Sequence, residues 1–238
     1  MRQLVLDTET TGREHSEGNR VIEIGCVELV NRRLTFNNFQ RYINPERASE
    51  AGALAVHGLT DEFLRDYPIF KVIVEEFIEF IRGAELIIHN AEFDLGFLNM
   101  ELALASKILG KKFGKITDYC TVIDTLAIAR QLHPGQRNSL DALCKRYNVD
   151  NAHRNLHGAL LDAELLALVY LAMTGGQTTL FAEESASTTS QANTQQHRSV
   201  TKTAPLKIIQ ATAAELAEHE ARLAAIAKAN KEGCVWNK

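Results

Sequence analysis

"LVLDTETTG", residues 4–12, ends an apolar run in two carboxylates. Leu4, Val5 and Leu6 have the composition of an inner strand, yet Asp7 and Glu9 follow before the threonines and Gly12 break the pattern. Residues two apart in a strand point to the same side, so both acids converge at its C-terminal end. A solvated strand end with two surface acids also explains the motif taken alone. More acids are needed to decide.

Outward from this stretch, "RVIEIGCVELVN" and "FNNFQRYIN" continue as two further strands, which implies an antiparallel opening. "FKVIVEEFIEFIRG" places Val74, Phe77, Ile78 and Ile81 at helical spacing with Gly83 as a stop, and "AELIIHN" follows as a short buried strand. "FDLGFLNMELALAS" is a helix with Leu98, Leu102 and Ala105 along one stripe. "YCTVIDTLAIARQL" runs from strand to a helix capped by Asp124, and "NSLDALCKRYNV" is a helix capped by Asn138 or Ser139. "LHGALLDAELLALVYLAMTGG" closes the series as a long apolar helix ending at Gly175 and Gly176. Strands first, then strands alternating with helices, predict an α/β fold, a mixed sheet flanked by helices.

Two more acids stand out. Asp94 in "HNAEFDLGF" falls in the first turn of a helix just beyond a buried strand, where an acid is ordinarily favourable dipole chemistry. Asp162 in "LHGALLDAELL" has Gly158, Ala159, Leu165, Leu166 and Val169 as helical neighbours, so its carboxylate lies on the buried face. A buried unpaired acid costs several kcal/mol or stays protonated unless a cation compensates it, and no lysine or arginine is placed locally to do so. His157 stands five residues earlier, about 140° away on an ideal helix, so it meets Asp162 only if it lies at or before the first turn, with Gly158 loosening the entry. Four gathered carboxylates repel one another. Two divalent cations balance them, and oxygen ligands suit Mg2+ or Mn2+ better than zinc. Such a pair, about 3.5 to 4 Å apart, clamps the oxygens of a phosphoryl transfer.

The segments "DTETTG", "HNAEFD" and "HGALLD" together resemble the DEDDh family of 3′-to-5′ exonucleases over about residues 1–176, and "VHGLTDEFL", "GAELIIHNAEFD" and "RNSLDALCKRY" look like its replicative proofreading members. The resemblance implies a ribonuclease-H-like fold and removal of nucleotides from a DNA 3′ end. It assigns Asp7, Glu9, Asp94 and Asp162 to the metals and to catalysis. Asp7 bridges both ions, Glu9 and Asp162 complete the first site, and Asp94 holds the second. His157 takes the proton from the attacking water, a task its ordinary pKa of about 6.5 suits. His57 is a substrate contact, and Asn90 and Phe93 help to seat the frayed end, beside Asp7, Glu9 and Asp162. The sequence departs from the family at Gly52, where a glutamate is usual five residues before His57; Glu50 stands two residues earlier.

The expected organisation is a catalytic domain over 1–176, a clamp-binding peptide over 177–181, a flexible linker over 182–205 and a polymerase-binding segment over 206–238. "QTTLF" resembles a sliding-clamp peptide through Gln177, Leu180 and Phe181, although Leu180 and Phe181 could instead close the last helix against the core. The linker is rich in Ser, Thr, Gln and Ala and nearly free of large apolar residues. Beyond it, Leu216, Leu223 and Ile226 form a thin helical stripe ahead of Trp236, too little for a core, so this segment needs a partner. The expected partners are a DNA 3′ end, the polymerase catalytic subunit and the sliding clamp, with room for a small accessory subunit.

Net charge is −4, so the chain has no general basic excess for nucleic acid, and tethering would supply the local concentration instead. The N-terminus lacks a signal-like apolar run and no stretch is long enough to span a bilayer, which predicts a cytoplasmic protein without membrane contact. Cys26, Cys120, Cys144 and Cys234 are scattered without a CxxC pair and are expected to be reduced. The competing readings are an RNA 3′-end trimmer of the same superfamily and a noncatalytic clamp–polymerase scaffold.

Overall fold

The computed structural model describes residues 1–152, 154, 156–175 and 211–229. Two compact units divide at Met1–Glu183 and Glu184–Lys238. The first is a six-stranded mixed sheet with helices on both faces. Its central strand β1 (Arg2–Thr10) pairs antiparallel with β2 (Val21–Val30), which in turn carries β3 (Arg33–Leu34) at one end and β4 (Phe39–Tyr42) at the other. On the opposite side β1 pairs parallel with β5 (Glu85–Ile88), and β5 with β6 (Thr121–Asp124). The helices are α1 (Ala51–His57), α2 (Asp61–Leu64), α3 (Phe70–Ile81), α4 (Ala91–Leu109), α5 (Thr125–Leu132), α6 (Leu140–Tyr147) and α7 (Ala159–Thr174). The antiparallel opening and the alternation that follows agree with the sequence expectation. The short α1 and α2 and the two-residue β3 were not foreseen.

The pleat of β1 sorts its side chains between two cores. Leu4 and Leu6 pack with Phe77, Ile81, Leu98 and Leu102 of α3 and α4, whereas Val5 packs with Ala163 and Leu166 of α7. Asp7 and Glu9 share the parity of Val5 and emerge on the α7 face. Thr8 shares the parity of Leu6 and turns toward α4, where its hydroxyl donates to Asp94 Oδ1 at 2.7 Å. One strand end therefore addresses both helices that carry the remaining acids.

The approach of α7 depends on β2. Gly25 lies opposite Asp7, and a Cβ there would stand 2.3 Å from the backbone of Ala159 and Leu160, so only glycine admits the helix this close. Glu23, buried on the same face, accepts the Ala159 N–H at 3.0 Å and so satisfies a donor in the first turn of α7. Asp162 follows within that turn. Asp124 caps α5 by accepting from Leu126 N, and Ser139, rather than Asn138, caps α6 by accepting from Ala142 N. Cys26, Cys120 and Cys144 are free and buried; Cys234 lies outside the described residues.

In the second unit, α8 (Ala213–Ala229) exposes Leu216 and Ile226. Gln177, Leu180, Phe181, the linker over 182–205 and Trp236 lie outside the described residues. No helix among the described residues is long and apolar enough to cross a membrane.

Candidate active site

The C-terminal end of β1 is where the acids meet. Asp94, from the first turn of α4, and Asp162, from the first turn of α7, are each 3% exposed, Glu9 is 9% exposed and Asp7 is half-buried. Burial, then the charges of Asp94, Glu9 and Asp162, hold the Asp7 carboxyl well above the usual range. Burial, then Asp162 and Glu23, push Glu9 up to about 8. Burial pushes Asp94 up to about 7, although the Thr8 hydrogen bond pulls the other way. These are acids that resist ionisation together, as groups awaiting a counter-charge do.

Part of that counter-charge comes from Arg154. Its Nε and Nη2 donate to the two oxygens of Asp162, each at 2.6 Å, and its Nη1 donates to Asp141 of α6 at 2.6 Å. This corrects the expectation that no basic residue compensates Asp162. Arg154 lies eight positions upstream, outside the three- and four-residue spacings of a helix, and reaches Asp162 from the loop that precedes α7.

His157 precedes the helix, as convergence with Asp162 requires, and its Nδ1 lies 3.2 Å from Asp162 Oδ2 and 2.7 Å from Arg154 Nη2. Arginine can only donate, so in this arrangement Nδ1 is the acceptor and Nε2 carries the proton. Its backbone N–H donates to the Val56 carbonyl at 3.1 Å, which ties the histidine to the end of α1. Among the described residues, Glu9, His157 and Asp162 offer ligand atoms that all lie within 4.8 Å of one another. The oxygen-rich donor set, its burial and the raised carboxyl pKa values fit a divalent cation.

A cavity of about 330 Å³ opens beside Glu9, walled by His57, Val56, Phe93 and Glu50. His57 is buried, its Nδ1 accepts from Leu59 N at 2.9 Å, and its Nε2 has no partner. Its proton affinity is lowered by burial. Glu50 Oε1 accepts from Asn19 Nδ2 at 2.7 Å, and a Cβ at Gly12 would stand 2.3 Å from the same oxygen. A Cβ at Gly52 would meet nothing within 4 Å, so this position leaves the cavity rim open. Asn90 does not join His57 and Phe93. It stands at the head of α4 with φ 67° and lines a different cavity. Sequence reasoning passed over Glu23 and Arg154. Glu23 was legible in principle, as an acid alternating with apolar residues in a buried strand.

An exonuclease family model matches residues 4–170. DNA polymerase III subunit epsilon of Salmonella typhimurium is 51% identical, with 99% of this chain and 97% of that protein covered. The same subunit of Escherichia coli has equal figures, and that of Pasteurella multocida is 50% identical over 100% of this chain and 94% of its own. Among solved structures, exonuclease X in complex with 5′ overhanging duplex DNA superposes with TM-score 0.55 at 24% identity, covering 73% of this chain and 91% of its own. The nuclease domain of 3′hExo, a DEDDh family member bound to rAMP, gives 0.57 at 17%, covering 72% and 90%. These structures share the ribonuclease-H-like fold. Exonucleases of this family use divalent metal ions. With half its residues shared along nearly the whole length and an exonuclease family model matched over residues 4–170, the chain belongs to the exonuclease family and, within it, to the DNA polymerase III epsilon subunits.

Proposed function

We propose that this chain hydrolyses the terminal phosphodiester at a DNA 3′ end, releasing nucleotides one at a time, as the editing subunit of a replicative polymerase. The observation that carries the reading is the meeting of Asp7, Glu9, Asp94 and Asp162 at one strand end, where burial raises the carboxyl pKa of Asp7, Glu9 and Asp94 above the usual range. Asp7, Glu9 and Asp162 would hold one divalent cation and Asp7 with Asp94 a second, Mg2+ or Mn2+. Bound there, the pair supplies charge neutralisation, activation of water and stabilisation of the leaving 3′ oxygen.

The chain's own residues do the rest. The cavity beside Glu9 seats the terminal nucleoside, with Phe93 and Val56 as apolar walls and the unpartnered His57 Nε2 as a polar contact. His157 accepts the proton of the attacking water and passes it to solvent, to which it is half open. With Arg154 engaging Nδ1, that lone pair is occupied, so Arg154 must release the histidine before it acts as a base. The experiment is digestion of single-stranded and 3′-mispaired DNA labelled at either end. Mononucleotides released from the 3′ end, and no release in a chelator, are expected. Brisk attack on RNA with DNA untouched would favour the RNA-trimming alternative.

Residues 177–181 would dock on the sliding clamp and 206–238 on the polymerase catalytic subunit. The name of the relatives, a polymerase subunit, and the exposed Leu216 and Ile226 support a tethered enzyme.

Arg154 and a divalent cation compete for Asp162. Arg154→Ala is therefore expected to lower the Mg2+ concentration that half-activates hydrolysis several-fold, and to lower the unfolding temperature of the metal-free protein, whose acids lose their nearest cation. An unchanged metal requirement in a Mg2+ titration would contradict the competition.

A further inference from the structure

A second cavity, about 560 Å³, lies at the C-terminal ends of β5 and β6 and takes no part in the chemistry above. We propose that it binds the DNA strand on the 5′ side of the scissile bond, with Arg130 holding a backbone phosphate, so that Arg130 and the cavity around it are a substrate site for polynucleotide rather than for the terminal nucleotide. This rests on the exonuclease reading and deepens it.

Position comes first. Strands β1, β5 and β6 run parallel, so their C-terminal ends share one edge of the sheet. Neighbouring strands stand about 4.8 Å apart, which puts the ends of β5 and β6 roughly 5 to 10 Å across from the acids at the end of β1. That is the reach of the next phosphate or two along a single strand. Each cavity also borrows a residue from the start of α4. Asn90 lines this one, Phe93 lines the cavity beside Glu9, and Asp94 shares that turn with both. A strand cleaved at the acids needs a place for the nucleotide on each side of the broken bond; one cavity lies beside Glu9 and the other beyond the ends of β5 and β6.

Chemistry separates their roles. The cavity beside Glu9 is lined by two carboxylates, Glu9 and Glu50, against the single guanidinium of Arg13, and by the apolar Val56 and Phe93, a balance that suits an uncharged nucleoside better than a phosphate. The second cavity has no carboxylate among its lining residues. It offers the Arg130 guanidinium, His89, His133, the side chain of Asn138 and the opening turn of α6 at Ser139. Arg130 is exposed, and among the described residues no carboxylate pairs with it. Leu126 gives a sugar or base an apolar surface to rest on. The cavity is also braced. Arg146 donates to Asn138 Oδ1, Gln136 Oε1 and the Arg137 carbonyl, and Tyr147 meets His133 Nε2 at 2.8 Å. A site held open by one buttressing arginine while another stays unpaired is built for an anion. It also supplies locally the cation that the overall charge of −4 withholds.

The test compares two substrates of one enzyme. A short oligothymidylate spans both cavities, whereas the p-nitrophenyl ester of thymidine 5′-monophosphate carries nothing on the 5′ side of the reacting phosphorus except the dye. Arg130→Glu in the full chain is expected to lower kcat/KM on the oligonucleotide about tenfold or more, to leave ester hydrolysis within about twofold, and to flatten the dependence of log KM on log salt by roughly 0.7, one phosphate contact. Arg130→Lys should keep most of the oligonucleotide rate, and Arg130→Gln should fall between, which guards against an effect of the reversed charge alone. Equal losses on the two substrates, or an oligonucleotide rate and salt slope that do not move, would overturn the proposal. Wild-type protein that cleaves neither substrate would overturn the exonuclease reading, and this proposal with it.

Discussion

Asp7→Asn is expected to cost about three orders of magnitude in kcat, the several kcal/mol that metal ions lend a phosphoryl transfer, and to raise the unfolding temperature of the metal-free protein. The two effects share one cause. Asp7 lies among Asp94, Glu9 and Asp162, and its carboxyl is held well above the usual range by burial and by those three charges. An amide of the same shape relieves the repulsion, so the fold gains, while the ligand charge that would bridge the cations is gone, so the chemistry loses. Parallel turnover and thermal-melting measurements in a chelator separate this from a structural role. Activity within tenfold of wild type would contradict a metal-bridging Asp7, and a fall in both quantities would make Asp7 a packing residue. A noncatalytic scaffold predicts no functional change at all.

The second large effect is an inverted pH dependence of stability without metal. Glu9 rises from 4.5 to about 8 and Asp94 from 3.8 to about 7. Between the unfolded and folded values, the folded chain holds protons that the unfolded chain has released, so stability falls as pH rises through that window. Below about pH 6.5 the buried His57 and the half-buried His89, whose proton affinities are lowered by desolvation, act in the opposite sense. The loss is therefore cleanest from pH 6.5 to 8, where Glu9 alone contributes on the order of 2 kcal/mol. Saturating Mg2+ favours the ionised carboxyls and should flatten or reverse the slope. Denaturant unfolding at the two pH values, with chelator and with Mg2+, measures it; metal-free protein that is more stable at pH 8 than at 6.5 would contradict the shifts.

Much of this was legible in the sequence where one physical rule dominates. The parity of Asp7 and Glu9 along a strand, and the apolar neighbours of Asp162 along a helix, each follow from one element's own geometry, and both describe the folded molecule. The cap at Asp124 and the stripe of Leu98, Leu102 and Ala105 are local in the same way. What escaped depends on tertiary approach. Arg154 meets Asp162 across an irregular loop that no helical spacing encodes. Glu23 serves a helix 136 residues away in the chain. The four-residue α2, capped by Thr60, and α1, whose end carries His57 and holds His157 through Val56, are too short to show a period. Residues of α1 wall the cavity beside Glu9, so the acids were readable and much of the pocket was not. Asn90 and Phe93 are three residues apart and look like one feature in sequence, yet they line separate cavities.

The central claim is that the crowded acids exist to hold metal. Anomalous diffraction from crystals soaked in Mn2+ with a nucleoside monophosphate tests it most directly. Two peaks bounded by Asp7, Glu9, Asp94 and Asp162, with Arg154 displaced from Asp162, are the expected result for a two-ion site. Clear density for the four side chains with Arg154 still paired to Asp162 and no peak between them would contradict it.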